Sequence, residues 1–221
     1  MISLSKAACL LAAVTLPFAT AAAAQDETPA QRTYNPISYD LQDDPENILL
    51  LDLSNGERVA IRLMSSWAPD HVERIKTLTR QGFYDGIVFH RVIDGFMAQT
   101  GDPTGTGAGG SELPNLEEEF NPMPHLRGTV SMARRGEEDS ANSQFFIVFY
   151  PRFSLDKNYT NFGRVIDNMA GVDAIARGEP PASPTRIVQA SIAADGKPQR
   201  YAAPAAPAEE EVTLDDLSAP I

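Results

Sequence analysis

The sequence has almost no cysteine. Its single cysteine, Cys9, lies near the start of a chain of 221 residues, so the remainder can form neither a disulfide nor a thiolate metal site. The 3 histidines lack a metal-binding spacing such as HxxxH, and we expect neither a metal ion nor a cofactor. Stability must therefore come from an apolar core, which a chain of this length can bury within one domain.

Basic residues are also scarce. The chain has 18 Lys and Arg against 30 Asp and Glu, a formal net charge of −12 at pH 7. Such a balance repels the phosphates of nucleic acids and of anionic lipid surfaces. We therefore expect no nucleic-acid partner.

No hydrophobic run is long enough to span a bilayer comfortably. The apolar run from Ala7 to Phe18 follows Lys6 and precedes the alanines at 22–24, which is the three-part pattern of a secretory signal peptide. We predict that residues 1–24 are this signal, that it is cleaved after Ala24, and that no stable membrane insertion follows. The expected location is the bacterial periplasm, with secretion from the cell as the alternative.

Composition divides the rest of the chain into three parts. Residues 25–46 are polar and rich in acid and proline, which predicts a leader lying on the domain surface or free of it. Residues 47–195 are the expected folded domain, and we expect a monomer. Residues 196–221 are rich in Ala, Pro and acid, which predicts a disordered tail.

Two helices and many short strands are expected in the domain. Asn55-Gly56 between NILLLDL and ERVAIRLM predicts a hairpin. One helix is predicted over HVERIKTLTRQGF, after Pro69, and a second over residues 168–177 with Asp167 as its N-cap. Other β-like runs are IVFHRVI, FMAQT, GTVSMA, SQFFIVF, NFGRVI and RIVQASIA. This pattern predicts a mainly β protein, an antiparallel barrel whose openings the helices cover.

The stretch VFHRVIDGFMAQTGDPTGTGAGG raises the question of a phosphate-binding loop. Such a loop needs a glycine turn followed by a helix whose amides face the anion, and its best-known form ends in Gly-Lys-Ser/Thr. Here GTGAGG is followed by Ser111 and, at Pro114, by a proline where the helix should begin. We interpret the glycines as a surface turn that uses backbone angles other residues avoid.

Arg91 in the same stretch is harder to explain as a surface residue. In a strand IVFHRVI it shares a face with Phe89 and Ile93, while His90 falls on the opposite face as a hydrogen-bonded core residue. An arginine on an apolar face is costly unless its donors are satisfied. A surface edge position or a structural ion pair is the alternative for this strand taken alone.

A second run repeats this combination of polar and aromatic side chains. In SQFFI, Gln144 and Phe146 share a face. With Phe96, Met97 and Gln99 they predict an apolar floor with a few strong hydrogen-bonding groups.

Four blocks of the sequence carry a resemblance to a known family. FHRVIDGFMAQTGD, GTVSMAR, SANSQFFI and LDKNYTNFGRVI, in this order, resemble the cyclophilin family of peptidyl-prolyl cis/trans isomerases over about residues 47–195. The resemblance implies a closed eight-stranded antiparallel barrel capped by two α-helices, with a groove for proline peptides on its outer face. It also implies proline-containing peptides and unfolded exported proteins as partners.

The resemblance implies roles for individual residues. It makes Arg91 and Gln99 the catalytic pair. It makes the substrate-binding set Phe96, Met97, Ala133, Arg134, Gln144, Phe146, Leu155 and Tyr159. The sequence has Ser154 where many members have tryptophan, Tyr159 where many have histidine and Arg134 where asparagine is frequent, which puts ligand selectivity in question more than activity.

The expected chemistry needs no nucleophile. Rotation about a peptide bond is opposed by roughly 18–20 kcal/mol because the nitrogen lone pair is delocalised into the carbonyl. A guanidinium over the prolyl nitrogen favours the twisted state in which the lone pair is localised. A Ser/His/Asp hydrolase is disfavoured because GxSxG is absent. The remaining alternative is a binding module or holdase chaperone that keeps the groove but has little catalytic role.

Overall fold

The computed structural model describes residues 33–201, and their main element is one antiparallel sheet of eight strands. The strands are β1 (Ile48–Leu53), β2 (Arg58–Leu63), β3 (Arg91–Ile93), β4 (Met97–Thr100), β5 (Thr129–Met132), β6 (Phe145–Val148), β7 (Asn161–Asp167) and β8 (Ile187–Ile192). They lie in the order β3-β4-β6-β5-β7-β2-β1-β8. The Asn55-Gly56 turn joins β1 to β2, as predicted, and Gly56 takes a φ of 90°.

Within residues 33–201, two α-helices accompany the sheet. Helix α1 spans Pro69–Arg80, with the proline in its first turn, where a missing backbone N–H costs nothing. Helix α2 spans Met169–Asp173 and is shorter than predicted. Its N-cap is Asn168, whose side chain accepts a hydrogen bond from the Gly171 N–H. The prediction of Asp167 was wrong because this residue still pairs with Ala60 in the sheet.

The sheet curls into a half-barrel. The mainly β class, the eight antiparallel strands and the two helices are confirmed, whereas the expected closure of the barrel is only partial, since β3 and β8 are the two ends of the strand order. Beside this opening the backbone N–H groups of Gly86 and Phe89 donate to Ile187 and Thr185, at 2.7 and 2.8 Å.

The strand predicted over residues 87–93 is shorter than expected, and this limits the closure. Only Arg91–Ile93 pair as a ladder with β4. Phe89 and His90 are both buried, with 0% and 5% of their surface exposed. Phe89 and Val92, three residues apart, both belong to the inner core, although residues three apart in a regular strand point to opposite faces. The chain therefore leaves regular strand geometry at this point. The expectation that Phe89 shares a face with Arg91 was therefore wrong.

The sheet separates two apolar clusters. The larger one fills the inside of the half-barrel, where the largest side chains with under 2% exposure include Tyr84, Phe89, Phe145, Phe149 and Phe162. The smaller one lies outside it and contains Met97, Phe146, Val148 and Leu155. This outer cluster is where the expected groove should be.

The described part of the leader is attached to the domain. The guanidinium of Arg62, with 4% exposure, donates to backbone carbonyls of the leader. These carbonyls belong to Ser38, Asp40, Asp43 and Asp44, at distances of 2.6 to 3.1 Å. The indole N–H of Trp67 also donates to the Asn35 carbonyl, at 3.0 Å. From residue 33 onward the leader therefore lies on the domain surface.

The first residues beyond Gly196 also contact the domain. The Arg200 N–H donates to the Asp52 carboxylate at 2.7 Å, and Gln189 donates to the Pro198 carbonyl at 3.0 Å. The predicted signal peptide, and the tail from residue 202, lie outside the described residues. Within residues 33–201, no helix has the length and apolar character needed to cross a membrane.

Candidate active site

Strand register brings the expected site residues onto the outer face of the sheet. Arg91 pairs with Gln99, and Gln99 pairs with Phe146 on the next strand. The alternation along a strand places Met97 on the same face as Gln99, while Ala98 between them belongs to the core. Local sequence pattern and sheet register together therefore build this face.

A cavity of about 270 Å³ lies on this face. Its lining consists of nine of the ten expected site residues: Arg91, Phe96, Met97, Gln99, Ala133, Arg134, Phe146, Leu155 and Tyr159. The tenth, Gln144, lines an adjoining cavity of about 440 Å³ that shares Gln99, Ala133 and Arg134 with the first. The structure thus brings all ten residues together in one continuous groove.

The floor of the smaller cavity is apolar. Met97, Phe146 and Leu155 are 2%, 5% and 9% exposed. The ring of Tyr159 meets the ring of Phe146 edge to face at 5.6 Å. The Arg134 guanidinium lies 5.0 Å from the centre of the Tyr159 ring, a cation–π distance. Such a floor suits a small saturated ring such as that of proline.

Arg91 places a cationic donor at the edge of this floor. Its Nε donates to the Glu179 carboxylate at 2.8 Å, and its side chain is 42% exposed. Among the described residues no other hydrogen-bond partner contacts the guanidinium, so both Nη groups can donate to a bound peptide. Glu179 was not expected here, because it lies 88 residues from Arg91 and no local sequence pattern indicates this contact.

Two glutamines form the polar side of the groove. Gln99 Nε2 donates to Gln144 Oε1 at 2.9 Å. Gln144 Nε2 in turn donates to the carbonyls of Gly107 and Gly109, at 3.0 and 2.8 Å. The glycine-rich stretch is therefore part of the groove wall.

The glycine-rich stretch binds a carboxylate of its own chain. Asp102 accepts hydrogen bonds from the backbone N–H groups of Thr104, Thr106, Gly107 and Gly109. Burial alone would raise the pKa of Asp102, but the hydrogen bonds from the loop outweigh it and lower this pKa to about 2. Converging backbone amides form an anion-binding concavity. Because Asp102 occupies it, the loop has no amide nest left for a phosphate.

A buried Ser-His-Asp array lies behind the floor. Ser131 Oγ lies 2.8 Å from His125 Nε2, and His125 Nδ1 lies 2.8 Å from Asp156 Oδ1. These contacts match the order of a hydrolase triad, but Ser131 and His125 are both 0% exposed, beyond reach of a substrate. The His125 ring instead stacks on Phe146, with ring centres 6.4 Å apart. The array supports the floor of the groove.

His90 is buried as expected, but without the expected hydrogen bond. Neither ring nitrogen has a partner among residues 33–201. The ring faces Gly107, which has no side chain to offer a donor or acceptor; a Cβ there would lie 3.6 Å from it. The other two histidines have acidic partners: His71 pairs with Glu119, and His125 pairs with Asp156. Within the described part of the chain, no three histidine or acidic side chains form a cluster that could hold a metal ion.

The curled antiparallel sheet, with an arginine above an apolar cavity on its outer face, defines an isomerase of the cyclophilin type. Residues 49–192 match the family model described as cyclophilin type peptidyl-prolyl cis-trans isomerase/CLD. The chain therefore belongs to this family. The family expected from the four sequence blocks is confirmed, and the protein is a peptidyl-prolyl cis/trans isomerase.

Known relatives and solved structures agree with this family. A probable peptidyl-prolyl cis-trans isomerase of Brucella suis is 45% identical over 170 residues, which cover 70% of this chain and 86% of the relative. The crystal structure of cyclophilin AquaCyp293 from Hirschia baltica matches with a TM-score of 0.65 and 29% identity, covering 70% of this chain and 77% of that one. A Cryptosporidium parvum cyclophilin, solved in the presence of the dipeptide Ala-Pro, matches with a TM-score of 0.61 and 28% identity, covering 66% of this chain and 98% of that one.

Proposed function

We propose that this isomerase accelerates rotation about X-Pro bonds in exported proteins and so assists their folding in the periplasm. The observation that carries the enzymatic part is the Arg91 guanidinium above the cavity floored by Met97, Phe146 and Leu155. The export part rests on the signal-like pattern of residues 1–24. Secretion from the cell is the alternative destination.

Different residues of the groove have different roles in isomerisation. The apolar floor holds the prolyl ring, while the Nη groups of Arg91 donate toward the prolyl nitrogen. That donation is strongest when the bond is twisted and the nitrogen lone pair is localised, so it stabilises the transition state more than either planar state. Gln99 and Gln144 hold the peptide backbone beside the ring. No proton transfer or covalent intermediate is required.

Proline-containing peptides are the proposed substrates. The groove is open to solvent, and its polar wall carries amides as well as arginines, which suits an extended peptide backbone. The Ala-Pro dipeptide used with the Cryptosporidium parvum relative supports the same ligand class for this chain. We propose that the protein acts as a monomer on unfolded exported chains, with no nucleic-acid partner and no stable membrane insertion after signal cleavage.

A specific surface feature favours a second candidate function. Tyr150 and Phe153, on the loop that leads to Leu155, are 60% and 63% exposed. Exposed aromatic side chains beside a groove can hold apolar segments of unfolded chains. A holdase chaperone with incidental isomerisation would use this surface and would not depend on Arg91.

One experiment separates the two candidates. Purified protein is added in catalytic amounts to a proline tetrapeptide followed by NMR exchange spectroscopy, and to a client protein whose refolding is limited by X-Pro isomerisation. Isomerase function predicts faster exchange and faster refolding at substoichiometric protein. A holdase predicts suppressed aggregation only near stoichiometric amounts, with no change in exchange. Cell fractionation and N-terminal sequencing test export, with residue 25 as the expected first residue.

A further inference from the structure

We propose that Asp102 is a positioning residue of the isomerase: it shapes the loop 103–110 that holds Gln144, and through Gln144 it orients Gln99 beside Arg91. The proposal rests on the proposed roles of Gln99 and Gln144 in binding the peptide. Asp102 itself does not line either cavity of the groove.

The first link joins Asp102 to the loop. Its Oδ1 accepts from the N–H and the hydroxyl of Thr104, at 2.7 and 2.8 Å. Its Oδ2 accepts from the N–H groups of Gly107 and Gly109, at 2.6 and 3.1 Å. The residue is 1% exposed, so water cannot replace these bonds. The loop therefore takes its shape around this carboxylate.

The glycines are the counterpart of that carboxylate. Gly107 has a φ of +84°, which other residues rarely adopt. A Cβ at Gly109 would overlap the Asp102 carboxylate. These two glycines are also the ones whose carbonyls face the groove, so the same residues that wrap Asp102 present the acceptors for Gln144.

The second link fixes which way the Gln144 amide points. Its two partners on the loop are both carbonyl oxygens, and only an NH₂ group can donate to both. Gln144 Oε1 must then face Gln99, and Gln99 must present its own NH₂ to it. This leaves Gln99 Oε1 available as an acceptor toward Arg91, its cross-strand neighbour, or toward the peptide. A loop of another shape would lose this orientation.

The contacts that run from Asp102 through the loop and Gln144 to Gln99 form a relay. A double-mutant cycle tests this relay against a merely structural role of Asp102. Asp102→Asn keeps the size of the side chain but places an NH₂ group among backbone N–H donors. We expect it to lower kcat/KM by about 5- to 10-fold in the wild-type background, and by less than about 2-fold in a Gln144→Ala background, where the relay is already broken. Asp173→Asn is the control, since it makes the same charge change at the exposed ion pair with Arg127, and it should leave kcat/KM within about 2-fold of wild type.

Equal fold-losses in the two backgrounds would overturn the proposal, as would an Asp102→Asn protein with wild-type kcat/KM. If Asp102→Asn does not fold, Thr104→Val replaces it, since this variant removes the hydroxyl donor and keeps the backbone N–H. Its expected loss is about 2-fold, again confined to the background with Gln144 intact. Full activity of Thr104→Val in that case would contradict the relay.

A second readout does not depend on catalysis. In wild-type protein the Gln144 side-chain amide protons should exchange slowly, because both are donated to loop carbonyls. The Asp102 or Thr104 variant should speed this exchange while leaving core amides unchanged. If the wild-type protein shows this protection but no isomerase activity, the proposed function fails, whereas the orientation of Gln144 by the loop around Asp102 stands. If Gln144 is unprotected in the wild type, the positioning proposal fails by itself.

Discussion

Acidification from pH 7.5 to 5 should destabilise the domain through two buried histidines. His125 is 0% exposed and His90 is 5% exposed. Burial lowers the pKa of His90, and Asp102 opposes this effect without cancelling it. Burial likewise lowers the pKa of His125 against the opposing effect of Asp156. The folded protein therefore holds both rings neutral at pH values where the unfolded chain already binds protons.

The sign and the size of the effect follow from this difference. Because the folded pKa values lie below the unfolded value of about 6.5, the stabilising contribution is fully present above that pH and is lost as the pH falls. Each histidine contributes at most about 1.4 kcal/mol per pH unit, so the two together contribute at most about 3 kcal/mol per unit. Asp102 and Glu119, whose pKa values are lowered, lose their contributions only below about pH 4.

Urea unfolding followed by circular dichroism at pH 8.5, 7.5, 6.5, 5.5 and 5.0 measures this dependence. The free energy of unfolding should be constant between the first two values and should fall below pH 6.5. His90→Met removes one titrating ring and one pair of unpartnered nitrogens, so the slope should fall to about half and stability at pH 7.5 should be kept or raised. A flat profile in the wild type, or an unchanged slope in His90→Met, would show that these histidines do not set the pH dependence.

Three further outcomes are expected. Arg62→Met removes the guanidinium that holds four leader carbonyls. It should lower the free energy of unfolding by about 2–4 kcal/mol and shift the Trp67 emission to the red as Asn35 leaves the indole; an unchanged emission would contradict the docked leader. Ser154→Trp adds an apolar ring with an N–H donor next to Leu155 and should tighten the binding of peptides that occupy the groove at least about 5-fold. Equal affinity in the two proteins would contradict our placement of that loop. Trp67 is 3% exposed and lines neither cavity of the groove, so a proline peptide should barely change its emission; a large shift would place the peptide elsewhere.

Period-two patterns predicted the parts of the site that lie on regular strands. Gln99 and Phe146 fall on the outer face because they belong to paired strands. The same rule failed at Phe89, where the chain leaves the regular strand so that Phe89 and Val92 both reach the inner core. Tertiary packing determines where a strand breaks, and the local sequence pattern carries no information about that packing.

Local sequence patterns could not predict contacts between residues that are distant in the chain. The stretch GTGAGG lacks the residues of a phosphate loop, and this could be read from the sequence. That the loop folds around Asp102 could not be read from it, because a carboxylate near glycines can pair with many other groups. Glu179 reaches Arg91 across 88 residues, and Asp156 reaches His125 across 31. The N-cap at Asn168 depended on which residue was last in the sheet, so helix α2 was predicted at the right place with the wrong cap.

The role of Arg91 in lowering the barrier to prolyl rotation is measured by kcat/KM of Arg91→Ala on a proline peptide. The value should fall at least about ten-fold, equivalent to about 1.4 kcal/mol of transition-state stabilisation, with an unchanged free energy of unfolding. Arg91→Lys should recover only part, since lysine keeps the charge without the planar fork. Arg127→Ala is the matched control, because Arg127 has the same 42% exposure and also forms an ion pair; it should retain wild-type turnover. Wild-type kcat/KM in Arg91→Ala would remove Arg91 from catalysis and favour a binding module.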